Sequence, residues 1–372
     1  MPERRIRMAS GFGDTLRVSV FGESHGTAIG ALIDGLPAGE PINYDELVRF
    51  MERRQGGRNA LSTSRKEPDL PIFLSGVTDG KTNGFPLAVE IENTNTRSGD
   101  YSNLADVPRP SHADYTAGIK WDGQADMRGG GHFTGRLTAP LCAAGGIALQ
   151  ILAKRGIRVG AHLFSVGHVP DQPFPMLPDP VLFDNIARKA LPVLDDTAGE
   201  KMQQEILAAR EDQDSVGGSV ECMITGLPAG LGSPMFDGIE NRLSRALFGI
   251  PAVKGLEFGS GFALSEMRGS QANDPFTIRE NGEISTKTNH IGGIQGGITN
   301  GMPVRFRVGF KPTPSIAKEQ ESVSVSEKKP VSLFIRGRHD PCIVQRAVPV
   351  VEAVAALVML DILLSEGRFG KP

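Results

Sequence analysis

The chain has 372 residues, 39% hydrophobic and 22% charged, with 46 glycines, 26 prolines and a net charge of −3. That length holds a large core. The near-neutral balance supplies no whole-molecule field for nucleic acid or a membrane surface, so an anionic ligand has to be met by a local arginine cluster. Cys142, Cys222 and Cys342 are widely spaced with no CxxC pair, which fits reduced thiols in a cytosolic protein better than a disulfide framework.

Arg4, Arg5 and Arg7 precede Met8-Ala9-Ser10-Gly11, which offers no apolar core for a signal peptide. Leu16, Val18 and Val20 then alternate as in a half-buried strand. Gly22-Glu23-Ser24-His25-Gly26 follows, placing a carboxylate, a hydroxyl and an imidazole between two glycines. A second apolar run, 29–33, leads to Gly35-Leu36-Pro37-Ala38-Gly39. An amphipathic helix is predicted over 45–54, with Leu47, Val48, Phe50 and Met51 at helical spacing.

The same order recurs later. An apolar run ending in Met223-Ile224 is followed by Gly226-Leu227-Pro228-Ala229-Gly230 and a helix predicted over 236–248. Thr82-Asn83-Gly84-Phe85-Pro86 before a strand at 87–91 is echoed by Thr299-Asn300-Gly301-Met302-Pro303 before 304–308. A long helix behind a proline, 140–156, is echoed by 349–367. Three matches in one order point to an internal duplication, about 10–160 and 200–367, with a linker over about 168–195. The expected fold is α+β: one domain over 1–372, a pseudo-twofold with the long helices at the centre and sheets outside. The apolar run 347–364 contains Glu352 and Asp361 and falls short of the ~20 apolar residues of a membrane span, so it reads as a buried core helix. Residues 170–180 hold five prolines and read as loop, 203–210 as a polar-faced helix, and the Ser/Glu/Lys-rich 318–330 as a mobile surface loop. A soluble oligomer is expected.

Gly22-Glu23-Ser24-His25-Gly26 fits the G-x-S-x-G of a nucleophile elbow, but an elbow needs a helix after its serine and several strands before it. Here 28–33 reads as strand, little chain precedes Ser24, and adjacent Ser24 and His25 side chains diverge. A hydrolase of this kind would depend on Ser24. His25, His112, His132 and His339 come without HExxH, CxxC or a carboxylate at ligand spacing, so they suit acid–base or anion-binding work, and no metal is expected.

Gly80-Lys81-Thr82 lacks the earlier glycine of a P-loop, with Ser75 in its place. The glycine-rich stretch 292–301 is not GxGxxG, and reads as a flexible loop or as backbone that approaches a ligand closely. Arg109-Pro110-Ser111-His112-Ala113-Asp114 sets a guanidinium, an imidazole and a carboxylate on one turn. Arg128 and three glycines run into His132, Phe133, Thr134 and Arg136 before the first long helix, a ready phosphate site. Arg336-Gly337-Arg338-His339-Asp340-Pro341 echoes it before the second. Lys311-Pro312-Thr313-Pro314-Ser315 is rigid, with a cation and two hydroxyls. Arg53, Arg54, Arg58, Arg65 and Lys66 form the densest positive cluster; a solvated helix end would account for Arg58. Together these describe an enzyme with two or more anion sites, taking a phosphate-bearing substrate and a phosphate-bearing cofactor.

Taken together, residues 21–26, 109–114, 128–136, 292–301, 311–315 and 338–352 resemble the chorismate synthase family over nearly the whole chain. The resemblance implies a cytoplasmic homotetramer with a β-α-β sandwich core. It implies a lyase of aromatic amino acid biosynthesis that forms chorismate from 5-enolpyruvylshikimate 3-phosphate by 1,4-anti elimination of phosphate, using reduced FMN without net redox change. In catalytic positions it puts His25 beside the departing phosphate, His112 at the reduced flavin and Asp340, held ionised by Arg338, as proton relay. At the flavin it puts His132, Phe133, Thr134, Ala252, Gly296, Lys311, Pro312, Thr313, Pro314, Ser315 and Arg338. Facing phosphates of substrate or NADP it puts Arg54, Arg109 and Arg136.

His132-Phe133-Thr134 departs from the commoner Arg-Ser-Ser, which leaves main-chain contacts there, and Ala60 stands where a second basic residue is usual. The absence of long insertions implies a separate flavin reductase as partner. A flavin-nucleotide binding or reductase protein without elimination chemistry is the alternative.

Overall fold

In the strand Ala28–Asp34 the side chains of Ile29, Ala31 and Ile33 fall on one face with period two and are buried, as are Leu87, Val89 and Ile91 on the neighbouring antiparallel strand. The computed structural model describes residues 10–57, 61–62, 67–94, 106–335 and 340–370. Arg4, Arg5, Arg7, Arg58, Ala60, Arg65, Lys66 and 336–339, with Arg338 and His339, lie outside the described residues.

One five-stranded sheet has the order β1-β2-β3-β7-β4, from β1 (Gly11–Phe12), β2 (Arg17–Gly22), β3 (Ala28–Asp34), β4 (Ile72–Ser75) and β7 (Leu87–Glu92). A small hairpin, β5 (Val77–Thr78) with β6 (Lys81–Thr82), interrupts it. A second has the order β11-β16-β10-β8-β9, from β8 (Arg158–Val166), β9 (Val169–Pro170), β10 (Gly218–Thr225), β11 (Val253–Phe258) and β16 (Val304–Phe310). Three further hairpins pair β12 (Phe276–Ile278) with β13 (Ile284–Thr286), β14 (Ile294–Gln295) with β15 (Ile298–Thr299), and β17 (Gln320–Ser324) with β18 (Lys329–Leu333). The helices are α1 (Tyr44–Glu52), α2 (Asp114–Lys120), α3 (Thr138–Ala153), α4 (Pro180–Arg188), α5 (Asp196–Glu211), α6 (Ile239–Leu247), α7 (Gly269–Ala272) and α8 (Val344–Ser365).

α3 and α8 pack on each other, α3 facing the first sheet and α8 the second. They approach closely because Gly145 has no side chain: a Cβ there would lie 2.3 Å from Ala353 Cβ and 2.4 Å from its Cα. The stretches Arg128–Ala153 and Val344–Ser365 are apolar and long enough to cross a bilayer, but 89% and 94% of their apolar windows are buried inside the fold. The two acidic residues of α8 are pins. Glu352 takes Arg53 at 2.6 and 2.9 Å and the Ala161 N–H at 2.9 Å; Asp361 takes the N–H groups of Asp14, Thr15 and Leu16 at 3.0, 2.9 and 2.7 Å and Arg242 at 2.6 Å.

Two expectations change. α8 starts at Val344, so Pro349 lies inside the helix, where its missing N–H leaves out one bond to the Gln345 carbonyl. Residues 318–330 form most of the β17–β18 hairpin rather than a mobile loop, because Asp106 binds the turn through Ser324 Oγ (2.5 Å), the Ser326 N–H (2.9 Å) and Ser326 Oγ (3.0 Å). The proline-rich 171–179 is irregular and ends at Asp179, which caps α4 by accepting from the Val181 N–H at 2.9 Å.

Candidate functional site

The β2–β3 turn carries His25 onto a run of three glycines. Gly129 has φ +61°, and a Cβ there would lie 2.1 Å from both Cε1 and Nδ1 of His25 and 2.6 Å from Ser24 Oγ. Only glycine gives the imidazole that seat. Ser24 is buried and donates its N–H to the Gly131 carbonyl at 3.0 Å, which is not the exposed nucleophile of an elbow. Asn93, which the sequence did not single out, clamps the same turn: its Nδ2 donates to the carbonyls of Glu23 (3.0 Å) and Gly26 (2.9 Å). His132 donates from Nδ1 to the Gly22 carbonyl at 2.8 Å and meets Ser10 Oγ through Nε2 at 2.7 Å, so its ring belongs to the framework. The Phe133 ring stands beside Trp121, centroids 5.8 Å apart, and Thr134 Oγ1 accepts from the Arg136 N–H at 3.2 Å.

Residues 109–114 face the next glycine. A Cβ on Gly130 would stand 3.4 Å from His112 Nε2 and 3.9 Å from an Arg109 nitrogen. Asp114 takes the Arg109 Nε (2.7 Å), Nη2 (2.7 Å) and backbone N–H (3.0 Å), and lies 2.7 Å from His112 Nδ1. Arg109 Nη1 continues to Ser315 Oγ at 3.3 Å, joining the turn to the 311–315 segment. There Thr313 accepts from Ser215 Oγ through its carbonyl (2.7 Å), while the neighbouring Val216 N–H donates to the Pro341 carbonyl (2.9 Å). Ala252 has φ +71° and its carbonyl accepts the Lys311 N–H at 3.0 Å. Burial, with Lys254 nearby, pulls the Lys311 ammonium below its usual range.

Asp340 pairs with Arg346 at 2.5 Å, and Arg346 Nε donates to the Arg54 carbonyl at 2.9 Å. Among the described residues Arg346, in the first turn of α8, is a cationic partner of Asp340; Arg338, which the sequence placed beside it, lies outside the described residues. Arg54 donates to Asp69 (2.7 Å), Thr138 Oγ1 (2.8 Å) and the Gly135 carbonyl (3.2 Å). Arg136 shares Asp69 and also reaches Glu67 (3.1 Å), Asn93 Oδ1 (3.0 Å) and the Glu92 carbonyl (3.2 Å). Burial acts to raise the Asp69 carboxyl, but the charges of Arg54 and Arg136 outweigh it and hold the group below the usual carboxylate range. Burial also lowers Arg54, to about 10. Both guanidiniums thus sit in a buried ion cluster rather than at an open surface, because the end of α1 and the turn before α3 converge on one carboxylate.

These contacts, joined by short steps along the chain, form a ring: His25, Gly129 and Gly130, His112, Arg109, Ser315, Thr313, then across Ser215 and Val216 to Pro341 and Asp340, Arg346, Arg54, Gly135 and back through His132 to the Gly22 turn. Gly296 stands apart. Its hairpin binds the Ile239 N–H and packs on Gly232, whose N–H donates to Glu366 just past α8. Asp340 precedes α8, so the two positions are separated by a 22-residue helix, about 33 Å, and do not meet one ligand within one chain. Among the described residues no group of three or more His, Cys, Asp or Glu is placed to hold a metal.

Residues 16–364 match the family model described as chorismate synthase. A chorismate synthase of Lancefieldella parvula is 45% identical over 370 residues, covering 96% of this chain and 97% of that protein. One of Pyrococcus abyssi is 48% identical over 353 residues, covering 95% and 97%. A solved structure, titled as the crystal structure of chorismate synthase, superposes with a TM-score of 0.75 at 29% identity, covering 95% of this chain and 93% of that one. A match of this length, carried by a chain whose His25, His112 and Asp340 stand on one ring, has one conclusion: the chain belongs to the chorismate synthase family of enzymes.

Proposed function

We propose that this chain is a lyase that removes phosphate from 5-enolpyruvylshikimate 3-phosphate by 1,4-anti elimination to give chorismate, in the shikimate pathway, with reduced FMN and no net redox change. The supporting observation is the ring, which gathers His25, His112 and Asp340 from sequence positions far apart. The residues suit a phosphate-bearing planar cofactor. Thr313 Oγ1 is buried with no hydrogen-bond partner among the described residues, a hydroxyl waiting for an acceptor, and in sequence it lies between Lys311 and Ser315. Thr134, the backbone of Ala252 and the 311–315 segment would hold that cofactor. Bound there, reduced FMN supplies an electron-rich ring that favours departure of an anion.

The chain's own residues carry the protons. His25 donates one to the departing phosphate, and the Asp340 carboxylate ends with the proton lost from the substrate carbon, so the C–O and C–H bonds are exchanged for a C=C bond. His112 holds a proton at the opposite wall. Arg109 is the arginine we place against substrate phosphate. Arg54 and Arg136 reach a phosphate, of substrate or NADP, only by releasing Asp69, and serve the site mainly as its frame.

We propose further a soluble cytoplasmic homotetramer fed by a separate flavin reductase. A single domain of two related halves is supported by the sheets, in which β2-β3-β7-β4 and β8-β10-β16-β11 have the same order in space and along the chain, while the edge strands β1 and β9 differ, one preceding β2 and the other following β8. On that correspondence the second half begins at β8, ahead of the linker. The test is anaerobic incubation with reduced FMN and 5-enolpyruvylshikimate 3-phosphate. Wild type releases phosphate and His25→Ala binds without turnover. No release by the wild type would leave only the flavin-binding or reductase reading.

A further inference from the structure

We propose that Asp114 is a positioning residue that fixes the tautomer of His112, keeping the ring hydrogen on Nδ1 and leaving Nε2 to act in the site. This rests on the reading of His112 given above, but its central measurement does not.

The geometry is local and over-determined. Asp114 Oδ1 lies 2.7 Å from His112 Nδ1 and 2.7 Å from Arg109 Nη2, while Oδ2 takes Arg109 Nε at 2.7 Å and the Arg109 N–H at 3.0 Å. A carboxylate oxygen can only accept, so at that distance Nδ1 has to carry hydrogen; the other tautomer would oppose two lone pairs. Arg109 Nη2 also lies 3.0 Å from Nδ1, but it cannot donate to a nitrogen that already bears hydrogen, and Oδ1 is its better acceptor. The two donors share one oxygen.

Ser111, a non-glycine at φ +59°, turns the chain so that His112 folds back over Arg109. The ring's other edge then faces Gly130, whose missing Cβ would stand 3.4 Å from Nε2. The charged groups around the imidazole are Arg109 and Asp114 from its own turn. Across it is the backbone of Gly129 and Gly130, with His25 on Gly129. Side-chain exposures of 5% for Arg109, 9% for Asp114 and 15% for His112 leave little water to loosen the set. Burial alone would raise the Asp114 carboxyl; the hydrogen bonds from Arg109 and His112 hold it well below the usual carboxylate range, so it stays ionised.

The consequence is a division of labour on one ring. A neutral His112 accepts at Nε2 and a protonated one donates there, without reorientation, because Nδ1 is occupied in both states. In Asp114→Asn the amide can turn its NH2 toward Nδ1, and the hydrogen then moves to Nε2.

The experiment is nitrogen NMR of the full chain carrying 15N-histidine, with the His112 signals identified as those lost in His112→Gln. In the wild type they show the Nδ1–H tautomer; in Asp114→Asn they show Nε2–H or a mixture. The kcat for phosphate release falls about 10²-fold with KM within about threefold, and Asp114→Glu recovers part of the rate. A wild-type Nε2–H tautomer overturns the proposal without any variant. So does an unchanged tautomer in Asp114→Asn with only a loss of stability. The Nδ1–H tautomer in a wild type that releases no phosphate instead sinks the proposed reaction and leaves the assignment standing.

Discussion

Replacing Gly129 by alanine tests the seat of His25 directly. The new Cβ would lie 2.1 Å from the imidazole, whereas ordinary carbon contacts begin near 3.5 Å, so the ring has to move by about 1.4 Å. The Gly129 backbone at φ +61° adds a left-handed penalty of about 1 kcal/mol for alanine. A displacement of that size at a proton donor lowers the rate about 10²-fold, close to 2.7 kcal/mol of barrier. The measurement is kcat for anaerobic phosphate release, with urea unfolding alongside to confirm that the variant is folded. Gly135→Ala is the control: it lies four residues past the glycine run, has no positive φ, and its Cβ would meet nothing within 4 Å, so its kcat stays within about twofold of wild type. A folded Gly129→Ala enzyme with kcat within about threefold of wild type would refute the placement of His25, and equal damage from Gly135→Ala would refute the steric argument.

Three further perturbations address the frame. Asp69→Asn leaves Arg54 and Arg136 buried without their shared carboxylate and costs about 3–5 kcal/mol in urea unfolding. Because the folded Asp69 carboxyl is lowered, its contribution is present above the unfolded value near 3.9 and lost as pH falls through the folded one. Wild type therefore loses its advantage over Asp69→Asn in acid, and a constant gap would contradict this.

His162, buried between Asp171 (3.0 Å) and Glu221 (3.2 Å), is lowered by burial but raised more by those two hydrogen bonds, and is raised on balance. Its contribution is full below the unfolded value near 6.5 and lost as pH rises through the folded one. The destabilisation by His162→Gln is accordingly larger at pH 6 than at pH 9, and the reverse order would count against a charged imidazole. Gly145→Ala gains about 1 kcal/mol of helix propensity but loses about 1–3 kcal/mol by overpacking Ala353, and Ala353→Gly does not restore it because the new Cβ also meets the Ala353 Cα and carbonyl. A higher melting temperature for Gly145→Ala would show that the helices have room.

What was legible in the sequence is what its own neighbours determine. The alternation of 87–91 and the Leu47 and Met51 spacing of α1 give buried faces where expected, and Arg109 with Asp114 is readable because the pair closes within six residues. The start of α8 was hidden because a proline at the first turn and a proline inside a helix look alike without the preceding caps. The β17–β18 hairpin was hidden because the polar turn is held by Asp106, 218 residues away from Ser324. Asn93 and Asp69 escaped for the same reason: each is an ordinary polar residue until a distant arginine arrives, and Arg136 comes to both. The three glycines announced a tight turn, but that one of them seats His25 is a fact of packing across more than a hundred residues.

The ring stands where it does because the two long helices run in parallel. Arg54 donates to Thr138 at the first residue of α3 and receives Arg346 from the first turn of α8, so both N-termini open on the same space. Their far ends also meet, since Arg155, past α3, donates to the Phe369 carbonyl at 3.0 Å. Aligned backbone dipoles favour negative charge at that opening, while Asp69 and Asp340 offset the mutual repulsion of Arg54, Arg136 and Arg346 and let them lie close together. The separation of the helices is set midway, where Gly145 meets Ala353. The spacing of the two helices that follow Gly135 and Asp340 is thus limited by a contact deep in the core, at a residue with no part in the chemistry.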